Sequence, residues 1–134
     1  ERQDDGGAGR ERAELAERVG ADGVHLPERA LDQAEVLSTA RPDWRITGAV
    51  HHLQGLEAAS EVDAVIVSPI FQAGGTSSGK IPLGLPGLTK FVRASGVPVY
   101  ALGGIDGINA RSLIGSGVCG LAGVASIQSA FGPD

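Results

Sequence analysis

A chain of 134 residues suffices for one domain with a sizeable core but not for two typical ones. A net charge of −5, with no stretch rich in both basic and aromatic side chains, excludes the electrostatic footprint of a nucleic-acid binder. Cys119, the only cysteine, excludes an intrachain disulfide framework and a cysteine-built zinc site, and no apolar run approaches the roughly 18 residues of a membrane span.

The pattern from Glu1 to Arg10 is polar, rich in glycine and without apolar periodicity, and is read as a loop or frayed end. Ala13, Leu15, Ala16 and Val19 mark one face of a short helix closed by Gly20. Five short apolar runs then read as strands covered on both faces: Gly23–Leu26, Arg45–Val50, Ala64–Ser68, Val97–Leu102 and Gly120–Val124. Helical patterns lie between and after them at Ala30–Thr39, Leu53–Ala59, Leu85–Ala94 and Gly107–Ser116, with a short one from Ser126. Cys119 falls in the last strand-like context. Strand–helix alternation at this spacing demands a parallel sheet, either doubly wound or closed as a (βα)8 barrel, and periodicity does not choose between them. Either way ligands bind beyond the C-terminal ends of the strands.

The 21 glycines have no fixed period, and many sit where a strand should end. The clearest case is Ala101-Leu102-Gly103-Gly104-Ile105-Asp106, where a strand runs into two glycines before a helix. Glycines here let backbone N–H groups approach an anion, and the helix N-terminus adds favourable potential. The plainer reading is a tight turn with Asp106 as N-cap.

The loop from Gly74 to Lys80 nearly spells a nucleotide-binding P-loop, but Ile81 stands where a magnesium-binding Ser or Thr belongs and Pro82 obstructs the following helix. A loop closing over a phosphorylated ligand through Thr76, Ser77 and Lys80 remains, as does an uninvolved surface loop. His25 and His51 lie at or near strand ends and are the candidate pocket histidines, against a plain hydrogen-bonded structural role. His52 completes the set of three, and no convincing third ligand accompanies a His pair, so no metal site is assigned.

These motifs together resemble one family, the thiamine phosphate synthases and the related thiazole tautomerases. Gly20-Ala21-Asp22-Gly23-Val24-His25-Leu26 is similar to its fourth-strand motif, and Val50-His51 with the following helix to its fifth unit. Asp63 to Phe71 with Pro82 to Leu85 resembles the sixth, and Val97 to Ile105 and Gly117 to Ile127 the seventh and eighth. The resemblance covers about Ala13 to Phe131 and implies an incomplete (βα)8 barrel of the α/β class, holding strands four to eight in one partial domain. It also implies a transferase of thiamine biosynthesis that joins a pyrimidine pyrophosphate to a thiazole phosphate, with Mg2+ serving in the complete protein.

Carried over by position, Gly104 matches the family glycine that presents backbone to the thiazole phosphate, with Gly103 beside it counted in the same site, and Val124 and Ala125 match an apolar–Ser pair contacting the same group. The pyrophosphate half departs. Ala30 stands where a magnesium-binding Asp is usual, Ala49 replaces a Ser, and Ala73-Gly74-Gly75-Thr76 replaces a Thr-x-Thr-Lys pattern unless a shifted loop restores it. The tautomerase histidine aligns with Pro69. If the losses are not replaced, the alternative is a non-catalytic relative that binds a phosphorylated heterocycle. The implied partner is that small heterocycle, with no nucleic acid, no membrane and a cytoplasmic location. Strands four to eight alone leave two sheet edges unpaired, through which the chain is expected to self-associate.

Overall fold

The computed structural model describes residues 5–72 and 81–122, the side chains of residues 5–8 excepted. Helix α1 (Asp5–Val19) is followed by β1 (Gly23–Leu26), a 3-10 segment Glu28–Gln33, α2 (Ala34–Ala40) and β2 (Arg45–Val50). A second 3-10 segment, Leu53–Ala59, leads to β3 (Ala64–Val67); then come α3 (Gly84–Ala94), β4 (Val99–Leu102), a 3-10 segment Ala110–Leu113 and β5 (Gly120–Ala122). The strands form one sheet in the order β1-β2-β3-β4-β5, with β1–β2 and β4–β5 parallel. That order has no central reversal, so the sheet is not doubly wound. By its contacts the chain divides into two compact units, Glu1–Val65 and Ile66–Asp134.

In the first unit β1 and β2 pair with Val24 opposite Ile46 and Leu26 opposite Gly48, and the other face carries His25 opposite Thr47. Leu26, Ile46 and Val50 are buried with Leu31 and Ala34 of the following helical segments, so the apolar positions of alternate strand residues form the core. Asp63 fixes where β3 begins: its N–H donates to the Ile46 carbonyl at 2.7 Å, and its Oδ2 accepts the Ile46 N–H at 2.7 Å. Arg41 lies over the Trp44 ring, 4.6 Å from its centroid, and pairs with Glu17 and Asp43. The hydrogen bonds to Asp43 and Glu17 hold the guanidinium above its ordinary pKa, and the same Arg41 contact holds the Asp43 carboxyl below its own.

In the second unit Leu88 and Phe91 of α3 are buried, as are Val67, Ile70, Val99, Ala101 and Leu113. Register places Tyr100 opposite Gly120 and Leu102 opposite Ala122.

Several expectations need correction. Residues 5–10 are helical, not a loop. Their glycines argue against a helix, but Gly9 is buried where an added Cβ would come within 2.9 Å of Gln33 Cγ and 3.5 Å of Ala30 Cβ, so close packing overrides weak propensity. The helix expected over Ala30–Thr39 begins as 3-10 at Glu28, directly after Pro27, and becomes α only at Ala34. Leu53–Ala59 is wholly 3-10, and Gly107–Ser116 keeps only the 3-10 turn Ala110–Leu113, because so few residues between glycines do not repay α-helix nucleation. Cys119 stands one residue before β5, exposed, with its N–H on the Val99 carbonyl. The strand starting at Val97 begins instead at Val99, and the helix expected from Ser126 lies outside the described residues.

Candidate functional site

The C-terminal end of β4 is built almost entirely from backbone. Gly103 and Gly104 have φ of 112° and 64°, conformations that side chains with a Cβ rarely adopt. Space forbids a side chain as well. A Cβ on Gly103 would stand 2.7 Å from Pro69 Cα, and one on Gly104 would meet the Gln72 carbonyl oxygen and lie 2.9 Å from the Phe71 carbonyl carbon. The two glycines are therefore fixed by the segment Pro69–Gln72 that runs against them.

Pro69–Phe71 is itself pinned from two sides. Ile70 and Phe71 donate their N–H groups to the carbonyls of Leu102 and Gly103, each at 3.0 Å. Leu83 and Gly84, at the start of α3, donate to the carbonyls of Pro69 and Ile70, each at 2.8 Å. The Ser68–Pro69 peptide is cis.

Beyond the glycines, Asp106 caps the next turn as expected: its Oδ1 accepts the N–H groups of Ile108 and Asn109, each at 2.8 Å. Asn109 answers in kind. Its Oδ1 accepts the Asp106 N–H at 2.8 Å and its Nδ2 donates to the Gly104 carbonyl at 2.8 Å. Both glycine carbonyls are thus engaged, Gly103 by Phe71 and Gly104 by Asn109. Among the described residues no hydrogen bond uses the N–H of Gly104 or of Ile105. Donors left without acceptors in a turn that admits no side chain are chemically suited to an oxyanion.

The end of β2 is built differently. Glu28, its side chain only 20% exposed, reaches across from the 3-10 segment after β1. Its Oε2 accepts the N–H groups of His51 and His52, each at 3.1 Å, and its Oε1 meets His52 Nδ1 at 3.1 Å. The protein's own carboxylate fills the donors at this strand end.

His25 is the penultimate residue of β1, near the strand end as expected, where Nδ1 lies 2.8 Å from Thr47 Oγ1. Partial burial, and then the Arg12 guanidinium, push its pKa below the ordinary 6.5. The ring pairs with the Thr47 hydroxyl on the sheet face. His51 lies just beyond β2, half-buried, edge-on to the His52 ring at 6.4 Å.

Gly103 and Gly104 are therefore brought into one turn, and His51 is drawn to Glu28, while Thr76, Ser77, Lys80, Val124 and Ala125 lie outside the described residues. Sequence reading passed over the pairing of Glu28 with His51 and His52, and passed over Asn109. The second was within reach, because Asp106 and Asn109 stand at N-cap and N3 spacing, the signature of a reciprocal capping box. Glu28 carried no local signal, since its partners are more than twenty positions away.

A magnesium site does not fit the described residues. Ala30, at the position of the expected Asp, is a fully buried hydrocarbon, and no cluster of three His, Cys, Asp or Glu side chains is placed to hold a metal.

A parallel α/β sheet with an open backbone turn at a strand end defines a class of α/β proteins that take ligands beyond the C-terminal ends of their strands. Within that class the assignment is specific: the profile described as thiamine monophosphate synthase matches residues 10–127, and the chain belongs to that family. It is 34% identical over 119 residues to a thiamine-phosphate synthase of Neisseria gonorrhoeae, covering 87% of this chain and 58% of that protein. It is 32% identical to a putative thiamine-phosphate synthase 2 of Aquifex aeolicus, covering 86% and 62%. The solved thiamine phosphate pyrophosphorylase from Pyrococcus furiosus superposes with a TM-score of 0.67 at 32% identity, over 84% of this chain and 54% of that one. FabK from Thermotoga maritima, at 19% identity and a TM-score of 0.65, shares the fold alone. The chain thus spans about three fifths of the length of the curated relatives it matches.

Proposed function

We propose that the protein catalyses thiamine phosphate synthesis, joining a pyrimidine pyrophosphate to a thiazole phosphate with release of pyrophosphate. This chain supplies the thiazole-phosphate half of the site. The observation that carries the reading is the β4-end turn, where Gly103 and Gly104 turn their carbonyls into the protein and the Gly104 and Ile105 N–H groups meet no acceptor among the described residues. Family membership and the names of the curated relatives support a synthase over a non-catalytic binder. Val124 and Ala125 complete the phosphate contacts in this reading, and Thr76, Ser77 and Lys80 close over the substrate.

The β4-end turn binds and orients the phosphate in this reading. Each N–H donated to the phosphate dianion contributes about 1.5–3 kcal/mol, because a hydrogen bond to a charged group is stronger than one between neutral partners. The sheet is completed to a (βα)8 barrel by three further strands in this reading, and β1 and β5, at the two ends of the strand order, are the edges through which the chain self-associates when those strands are missing. Among the described residues no helix is long and apolar enough to cross a membrane, and in this reading the protein works in the cytoplasm.

The test is direct. Protein incubated with the pyrimidine pyrophosphate, the thiazole phosphate and Mg2+ should yield thiamine phosphate and pyrophosphate in equal amounts by chromatography. Formation of neither product would reject the catalytic reading.

A further inference from the structure

We infer that Asn109 is a positioning residue for phosphate recognition: by holding the Gly104 carbonyl it aims the Ile105 N–H at the ligand. The inference rests on the phosphate reading of the β4-end turn and adds the device that orients it. A peptide unit is planar and trans, so its C=O and N–H point in opposite directions. Fixing one fixes the other. The Gly104–Ile105 peptide has its carbonyl held by Asn109 Nδ2 at 2.8 Å, which directs the Ile105 N–H the opposite way. The preceding peptide is set in the same manner by Phe71, whose N–H holds the Gly103 carbonyl at 3.0 Å and so directs the N–H of Gly104.

Without such a restraint the turn would be soft, because glycine at positive φ has many neighbouring conformations available. Asn is the side chain the geometry requires. Its Oδ1 is committed to the Asp106 N–H at 2.8 Å, and only an amide then presents a donor, Nδ2, to the Gly104 carbonyl. Asp106 in turn accepts the Asn109 N–H at 2.8 Å, which anchors the backbone from which the amide reaches back. Asp at position 109 would keep the acceptor but set a second oxygen against the Gly104 carbonyl.

Calorimetric titration of the full chain with the thiazole phosphate and with the unphosphorylated thiazole alcohol tests this. The unsubstituted chain should prefer the phosphate ester. Asn109→Ala should lose about tenfold in affinity for the ester, the scale of one misdirected hydrogen bond to a charged group, and less than twofold for the alcohol. Asn109→Asp should lose more than Asn109→Ala, since it repels both the carbonyl and the ligand. If Asn109→Ala does not fold, Asn109→Asp is compared alone, with thermal unfolding confirming that it does. A wild-type chain with no preference for the ester overturns the phosphate reading and the role of Asn109 with it. A wild-type preference that both variants retain overturns the role of Asn109 alone.

Discussion

At the end of β2, the N–H groups of His51 and His52 are taken up by the Glu28 carboxylate; at the end of β4, those of Gly104 and Ile105 have no acceptor among the described residues. Both strand ends present backbone donors where an α/β sheet binds its ligands. One region satisfies them internally with a charged side chain, and the other has no room for a side chain at its two glycines, which lie against Pro69–Gln72. The contrast shows that topology supplies a place for an anion, while local side-chain chemistry decides whether the place stays open. A carboxylate within hydrogen-bond reach closes it, by occupying the donors and by repelling a second negative charge.

The largest change should come from the scaffold, and it separates stability from recognition. Leu88 is fully buried in α3, so Leu88→Ala should cost about 2–5 kcal/mol of stability in denaturant titration. The ratio of phosphate-ester to alcohol affinity should not move, because neither strand end contains this side chain. A changed ratio would mean that core packing, and not the turn, sets recognition.

Next is Gly104→Val, aimed at the open end. Valine at φ near 64° is strained by about 1–2 kcal/mol, and its Cβ meets the Gln72 carbonyl, so the turn must shift. Affinity for the thiazole phosphate should fall at least about a hundredfold, or ~2.7 kcal/mol, in the same calorimetric titration. Unchanged affinity would remove the phosphate from this turn.

Glu28→Ala probes the closed end. It leaves two backbone donors without their acceptor, at a cost of about 1–3 kcal/mol in thermal or chemical unfolding. Ester affinity should stay within about twofold if the β4 turn alone holds the phosphate. A marked gain would show that the β2 end becomes a second anion site once its carboxylate is gone.

The parts of this contrast differed in how far the sequence disclosed them. Parallel strands in sequence order followed from apolar runs such as Ala64-Val65-Ile66-Val67 and their spacing, because burial on both faces leaves a pattern local in the chain. The Gly103–Gly104 turn was legible for the same reason: two adjacent glycines at a strand end mark a demand on the backbone itself. Helix type was not. Pro27, Gly55 and Gly107 shorten or tighten the segments that follow apolar periodicity, so 3-10 turns replace three expected α-helical stretches in part or whole. The Glu28 clamp was least accessible, since it joins residues 23 and 24 positions apart and leaves no periodic trace. Gly9 shows the same limit, as only its packing on Gln33 explains a helix through a glycine-rich start.

The smallest effect concerns His25. Its lowered pKa means that the folded chain holds fewer protons than the unfolded chain between the lowered value and 6.5. Stability should therefore rise slightly with pH through that window and decline as pH falls below 6.5. The ring resonances should titrate with a midpoint below 6.5 by NMR, and Arg12→Ala should raise that midpoint by removing a nearby positive charge. A midpoint at or above 6.5 would contradict the partial burial assigned to this ring.

The difference between the two strand ends is most directly measured on the backbone amides themselves. In a titration of isotope-labelled protein with inorganic phosphate and then with the thiazole phosphate, the amide resonances of Gly104 and Ile105 should shift saturably, and more tightly with the thiazole phosphate. Those of His51 and His52, held by Glu28, should stay in place. Saturable shifts at His51 and His52 with none at Gly104 and Ile105 would contradict the account.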